Sequence, residues 1–276
     1  MLPTGRVFWK MSGSGNDFIM VDATREPVGH LADPAVIGQL CARGTGVGAD
    51  GIVFLERSKV ADFRMTYLNS DGSPAALCGN ASLCSARLAT ELGLVSAREF
   101  RIETDAGILA ARLGDGEPEV DLQPVLDVRS ALPFRLETGE RWIGFALAGV
   151  PHLAVRVDSV DAVDVVSRGR PLRFSKSLSA GANVNFVSPD GEGGWRIRTY
   201  ERGVEGETLA CGTGSIATAI LLAASGEAGE TVRLKTRSGR VHSVRLTRVD
   251  SEWMPSLAGE ARIVYQGKFG ELGGIA

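Results

Sequence analysis

The chain repeats itself at a distance of 133 positions, the separation of Cys78 from Cys211. Thr66-Tyr67 falls on Thr199-Tyr200, Cys78-Gly79 on Cys211-Gly212, Ser82 on Ser215, Ala86 on Ala219, Leu88 on Leu221 and Gly93 on Gly226. One residue of slippage then sets Arg101-Ile102-Glu103-Thr104 over Arg233-Leu234-Lys235-Thr236, and Gly107 over Gly239. Each copy reads strand, polar loop, Cys-Gly, helix, strand, glycine turn, strand. An ordered run of this kind marks a duplicated supersecondary unit. It restricts the fold to two related domains, which we expect at residues 1–123 and 124–265, with the segment 266–276 rejoining the first.

The helix after each Cys-Gly is short of charge. Only Arg87 is charged between Cys78 and Thr90, and nothing is charged between Cys211 and Gly226. A helix apolar or small on every side is buried all round. The expected fold is therefore α+β, with two pseudo-symmetric domains, each a curled, mostly antiparallel sheet around a central buried helix. A thiol at a helix N-terminus meets unpaired backbone N–H groups and the positive end of the helix dipole, a setting that favours thiolate. If the two domains face each other, both helix ends open on one cleft. A carboxylate there would be held by backbone N–H groups. One thiolate could then remove an α-proton while the other thiol returns one on the opposite face, which inverts the centre.

Composition removes several other classes. With a net charge of −3 and a pI of 5.7, the sequence shows no basic patch for nucleic acid or an anionic membrane. No apolar run reaches the roughly 18–20 residues of a spanning helix. Met1 to Met11 lacks the long apolar core of a signal peptide, so the cytoplasm is the expected location. The four cysteines (Cys41, Cys78, Cys84, Cys211) form no CxxC, and His30, His152 and His242 lie far apart, so no metal site and no disulfide scaffold is expected. Cys41 and Cys84 are read as small buried hydrophobes. Gly44 to Ala49 spells G-x-G-x-x-A, but it follows a helix and precedes a strand, the reverse of the dinucleotide-binding order, so it is read as a tight loop.

Taken in order, the patterns predict strands at Arg6–Met11 and Phe18–Val21 around a turn at Ser12–Asp17. A helix opens at Asp33-Pro34 and ends near Cys41, and strands follow at Ile52–Leu55 and Asp62–Leu68. Beyond the first buried helix come strands at Phe100–Thr104, Ile108–Leu113 and Glu119–Leu122, and an irregular stretch from Gln123 to Glu140. Further strands are expected at Trp142–Leu147, Leu153–Val157, Asn183–Val187, Trp195–Tyr200, Val232–Thr236, Val241–Leu246 and Ala261–Tyr265. Gly149 to His152 is read as a turn, Val160–Val166 as a short helix and Glu201–Gly206 as a polar loop.

These residues also carry a resemblance. Lys10-Met11 and Gly15-Asn16-Asp17-Phe18 are followed by Gly46-Val47-Gly48-Ala49-Asp50-Gly51, Asn69-Ser70-Asp71-Gly72-Ser73 and Cys78-Gly79-Asn80. Pro151-His152, Gly181-Ala182-Asn183-Val184, Tyr200-Glu201-Arg202-Gly203 and Glu207-Thr208-Leu209-Ala210-Cys211-Gly212-Thr213-Gly214 complete the set. In this order, over essentially the whole chain, they resemble the diaminopimelate epimerase family of pyridoxal-independent amino-acid racemases. The resemblance implies interconversion of LL- and meso-2,6-diaminopimelate on the route to lysine and peptidoglycan, with no cofactor. It implies Cys78 and Cys211 as the acid/base pair, Cys78 the donor and Cys211 the acceptor in the LL-to-meso direction. His152 and Glu201 would support the catalysis. Gly79-Asn80 and Gly212-Thr213 would cradle the reacting carboxylate. Asn16, Asn69, Asn183, Glu201 and Arg202 would bind the rest of the substrate, Arg202 as a bidentate partner of the distal carboxylate. A homodimer is the assembly expected.

The chain departs from the family pattern at three places. Val150 stands where Asn is usual before Pro-His. The run Cys78-Gly79-Asn80-Ala81-Ser82-Leu83-Cys84 replaces Cys-Gly-Asn-Gly-x-Arg-Cys, and Gly51 replaces a glutamine found in some members. The Val150 change bears on the distal end of the substrate and leaves open a racemase of a histidine, lysine or proline type on the same scaffold. A non-catalytic amino-acid-binding protein is the reading of another class, and retention of both cysteines argues against it.

Overall fold

The computed structural model describes residues 4–114 and 117–271. The chain divides into two compact units. One holds the described residues up to Val120 and those from Glu260 onward; the other is Asp121–Gly259.

The first unit is built from β1 (Val7–Gly13), β2 (Asn16–Asp22), α1 (Pro34–Cys41), β3 (Gly51–Glu56), β4 (Phe63–Asn69), α2 (Gly79–Glu91), β5 (Glu99–Thr104), β6 (Gly107–Leu113) and β7 (Pro118–Asp121). The second contributes β8 (Val128–Arg129), β9 (Glu140–Ala148), β10 (Val150–Val157), α3 (Val165–Arg173), β11 (Asn183–Pro189), β12 (Trp195–Glu201), β13 (Gly206–Thr208), α4 (Gly212–Ala224), β14 (Thr231–Lys235), β15 (Val241–Val249) and β16 (Glu252–Ala258). The chain then returns to the first unit as β17 (Arg262–Lys268), antiparallel to β1. The segment 266–276 was expected to rejoin this domain; its last five residues lie outside the described ones.

Neighbouring strands are antiparallel except at two places in each unit. The parallel pairs are β2 with β3 and β4 with β5, and then β10 with β11 and β12 with β14. Parallel neighbours need a crossover, and each crossover contains one α-helix. The first parallel pair of a unit runs opposite to the second, because β3 and β4 are antiparallel, as are β11 and β12. Right-handed crossovers then place the two helices of a unit on opposite faces of its sheet. This is what the packing shows. On one face α1 buries Val36, Ile37 and Leu40 against Ile19, Val21, Ile52 and Phe54. In the second unit Val165 and Leu172 of α3 join Leu153, Val155, Val184, Phe186 and Tyr200. The other face curls around the repeated helix: α2 packs on β1, β2, β3, β4, β6 and β17, and α4 on β8, β9, β10, β11, β15 and β16. Every residue of α2 from Gly79 to Ala89 is buried except Arg87, and every residue of α4 from Gly212 to Leu222 except Thr213.

Several elements differ from the sequence reading. The turn between β1 and β2 is only Ser14-Gly15, since both have positive φ and close a tight hairpin. Asn16 and Asp17 are therefore strand residues. Gly149 alone, at φ +71°, turns β9 into β10, so Val150, Pro151 and His152 are paired in a strand rather than standing in a loop. The expected helix at Val160–Val166 is a 3₁₀ turn at Val160–Ala162 followed by α3. β8, inside the stretch read as irregular, and β13 and β16 have no counterpart in the sequence reading.

Candidate active site

The two repeated helices begin alike. Cys78 is the N-cap of α2 with φ −135° and ψ 115°, and Cys211 the N-cap of α4 with φ −140° and ψ 111°. Both thiols are half-buried, whereas Cys41 and Cys84 are buried as the sequence suggests. Burial pushes the Cys41 thiol up to about 11. Burial, with smaller effects from Cys78 and Glu260, holds the Cys84 thiol well above its ordinary value. Those two stay protonated. Around Cys211 the first turn is in capping geometry: the Gly214 N–H donates to its Sγ at 3.4 Å, and Thr213 Oγ1 stands 3.6 Å away. The Gly79, Asn80, Gly212 and Thr213 amides occupy the first two helical positions, where an α-helix leaves N–H groups without intrahelical partners.

In the first unit, polar residues assemble beside the start of α2. The Asn80 amide donates to Asn16 Oδ1 at 2.7 Å, and Asn16 Nδ2 donates to Asp50 Oδ2 at 3.0 Å. Asp17 and Asp50 are gripped together by Arg43, at 2.7 and 2.8 Å. Buried Lys10 pairs with Asp17 at 2.7 Å and donates to the Gly48 carbonyl. Burial raises the Asp17 carboxyl, but hydrogen bonds from Arg43 and Lys10 outweigh it and hold the group below the usual carboxylate range. A carboxylate can only accept, so Asp50 fixes the Asn16 amide, and Asn16 Oδ1 in turn fixes Asn80. Asn80 Oδ1 is left buried with no partner among the described residues. Asn69 ends β4 opposite Gly51 and donates to Ser73 Oγ at 3.0 Å. The next residue, Ser70, donates its N–H to the Asp50 carbonyl, which brings the Asn69 turn to the same cluster.

In the second unit His152 pairs in register with Asn183 across β10 and β11. His152 is fully buried; burial first and the Arg202 charge second push its imidazole down to about 3, so it is neutral. Asn183 Oδ1 accepts the Arg202 backbone N–H at 2.8 Å, and the Arg202 guanidinium donates to the Ala180 carbonyl at 3.1 Å. Glu201, at the end of β12, accepts from Thr208 Oγ1 at 2.7 Å. The element missed in the sequence, β13, carries Thr208 and pairs Glu201 with Gly206. Two residues overlooked in the sequence belong here. Asn185 contacts His152, and Thr199 Oγ1 donates to Asn185 Oδ1 at 2.9 Å. Asn185 follows Asn183 by two, hence shares its face of β11, and that alternation was the available signal. The second imidazole, His242, is also fully buried; its Nδ1 meets Ser215 Oγ of α4 at 2.8 Å.

The structure thus groups Asn16, Asn69 and Asn80 with the Cys78 helix end in one unit. In the other it groups Asn183, Glu201 and Arg202 around His152, with Cys211, Gly212 and Thr213 on the α4 turn that Asn185 touches. Among the described residues no set of His, Cys, Asp and Glu is arranged to hold a metal ion, and no helix is long and apolar enough to cross a membrane.

The architecture is shared with proteins of known structure. A hydroxyproline epimerase from Agrobacterium vitis superposes with a TM-score of 0.70 over 98% of this chain and 94% of its own, at 19% identity. A PhzF-family phenazine biosynthesis protein from Bacillus anthracis does so with a TM-score of 0.73 over 96% and 98%, at 18% identity. These likenesses define the fold. The sequence goes further: the diaminopimelate epimerase profile matches residues 8–125 and 145–264. The diaminopimelate epimerase of Gemmatimonas aurantiaca is 46% identical over 96% of this chain and 99% of its own length. That of Aquifex aeolicus is 38% identical over 96% and 98%. The chain belongs to the diaminopimelate epimerase family, and it is an isomerase.

Proposed function

We propose that this enzyme interconverts LL- and meso-2,6-diaminopimelate by two-base proton transfer at one α-carbon, with Cys78 and Cys211 as the two bases. The observation that carries the reading is the duplicated N-cap: the same residue, at nearly the same φ and ψ, opens the buried helix of each unit. A thiolate in that position gains typically 0.3–1 kcal/mol from the helix dipole, and further stabilisation from N–H donors such as Gly214 on Cys211. The amino-acid Cα–H is a very weak acid. The carbanion must therefore be stabilised by hydrogen bonds to the reacting carboxylate, supplied by the amides of Gly79, Asn80, Gly212 and Thr213. Asn80 Oδ1, a buried acceptor with no partner among the described residues, suits an ammonium N–H of the substrate. Asn16, Asn69, Asn183, Glu201 and Arg202 bind the remainder, Arg202 at the distal carboxylate. His152, neutral and buried, supports the site as a hydrogen-bonding group. Thiol chemistry and a biosynthetic substrate suit the reducing cytoplasm.

The test is α-hydrogen exchange in D2O with LL-diaminopimelate and reduced protein. Deuterium enters the α-position in the wild type, and Cys78→Ala and Cys211→Ala each lose turnover by several orders of magnitude. Exchange of another amino acid but not of this one would overturn the substrate. Unimpaired exchange in both variants would overturn the mechanism.

A further inference from the structure

We propose that Asn185 is a positioning residue that sets the tautomer of His152, so that the imidazole presents an Nε2–H donor to the substrate. The inference rests on the reading of His152 as a group of the active site. The argument begins at a backbone carbonyl. Asn185 Nδ2 donates to the Leu153 oxygen at 2.9 Å, and Asn185 Oδ1 accepts from Thr199 Oγ1 at 2.9 Å. A backbone carbonyl can only accept, so the amide cannot be turned round without setting oxygen against oxygen. The same Nδ2 lies 3.3 Å from His152 Nδ1. With its N–H groups directed at Leu153 O and at the ring, Nδ1 must accept. In a neutral imidazole the proton then sits on Nε2.

That leaves Nε2–H buried and without an acceptor among the described residues. An unsatisfied buried donor is costly, and in a functional site it is the place where a ligand acceptor belongs. The carboxylate oxygens of an amino acid are the matching chemistry. Space enforces the arrangement. A Cβ on Gly214 would collide with Asn185 Oδ1, so the amide is wedged between β10, β12 and the first turn of α4, the turn whose N–H donates to Cys211. Asn185 is entirely buried and Thr199 nearly so, which shields the chain of bonds from water.

The experiment is 15N NMR of histidine-labelled protein, with the three imidazoles assigned by His→Gln variants, alongside steady-state epimerisation. In the wild type His152 Nδ1 should give the shift of an unprotonated ring nitrogen and Nε2 that of a protonated one. A proton on Nδ1 overturns the proposal by itself, whatever any variant does. In Asn185→Asp the new carboxylate accepts, the His152 proton moves to Nδ1, and kcat/KM falls at least tenfold. A variant that keeps the proton on Nε2 refutes the positioning role. A variant whose proton moves while kcat/KM is unchanged refutes the place of His152 in the site instead, and with it the proposal. If Asn185→Asp does not fold, Thr199→Val, which keeps the shape and removes the outer hydroxyl, takes its place. It should lower kcat/KM several-fold and show a mixture of the two tautomers, and a single unchanged Nε2–H signal with wild-type turnover would refute the chain of bonds.

Discussion

Acid should unfold the second unit for a reason that can be assigned to single residues. His242 is fully buried behind α4, and burial pushes its imidazole from 6.5 down to about 4. Its Nδ1 is held by Ser215 Oγ, and its Nε2 has no partner among the described residues, so nothing there favours the charged ring. The folded pKa lies below the unfolded one. As pH falls the unfolded chain therefore binds the proton first, and stability is lost. The contribution is complete above about pH 6.5 and drains away between pH 6.5 and 4, at roughly 1.4 kcal/mol per pH unit, about 3 kcal/mol in all. His152, pushed down to about 3, acts in the same direction over a window that reaches lower. The assay is denaturant unfolding followed by tryptophan fluorescence at a series of pH values, in wild type and His242→Gln. Three of the four tryptophans, Trp142, Trp195 and Trp253, lie in this unit. The variant is expected to be less stable at pH 7, with a stability curve flatter by about 3 kcal/mol between pH 7 and 4. Parallel curves for the two proteins would refute the assignment.

Two further substitutions probe the site. Gly51→Ala should cost several kcal/mol and lower the thermal midpoint, because its Cβ would strike the Leu68 carbonyl and come within 2.6 Å of the Tyr67 ring; an unchanged midpoint would show that Tyr67 swings aside. Val150→Asn restores the amide usual in the family at a half-buried strand position, and should lower KM for diaminopimelate with little change in kcat; a raised KM would place Val150 away from the distal end of the substrate.

The buried helices, the capping cysteines and the duplicated order of elements were legible because each is a local or strictly repeated pattern. Charge runs out for thirteen residues in α4, and no other arrangement than burial accommodates that. What escaped was set by distant partners. α3 contains Gly169 and Pro171, which read as breakers, yet Gly169 is needed there because a side chain would meet Tyr200 Cβ at 2.6 Å and its ring at 2.8 Å. β16 contains Pro255, which contributes no N–H to the ladder, but its carbonyl accepts from Leu122 and its strand pairs along β15. Val150 to His152 carry a proline and follow a glycine, so the run reads as a turn; the single positive φ at Gly149 does the turning, and the three residues stay in register with β9. For Asn185 the alternation with Asn183 was the one local signal, and its role stayed hidden because its neighbours, Leu153, His152 and Thr199, arrive from two other strands.

The duplication gives the units matching backbones, yet their buried polar chains end with opposite signs. In the first, the accept-only Asp50 carboxylate orders Asn16 and then Asn80, and the chain terminates in a buried acceptor, Asn80 Oδ1. In the second, the accept-only Leu153 carbonyl orders Asn185 and then His152, and the chain terminates in a buried donor, His152 Nε2. An amino acid carries an ammonium that needs acceptors and a carboxylate that needs donors. A strictly symmetric pair of units would offer both ends the same polarity. Divergence of the side chains around a duplicated pair of helix caps supplies the difference: one unit ends its buried chain in an acceptor and the other in a donor.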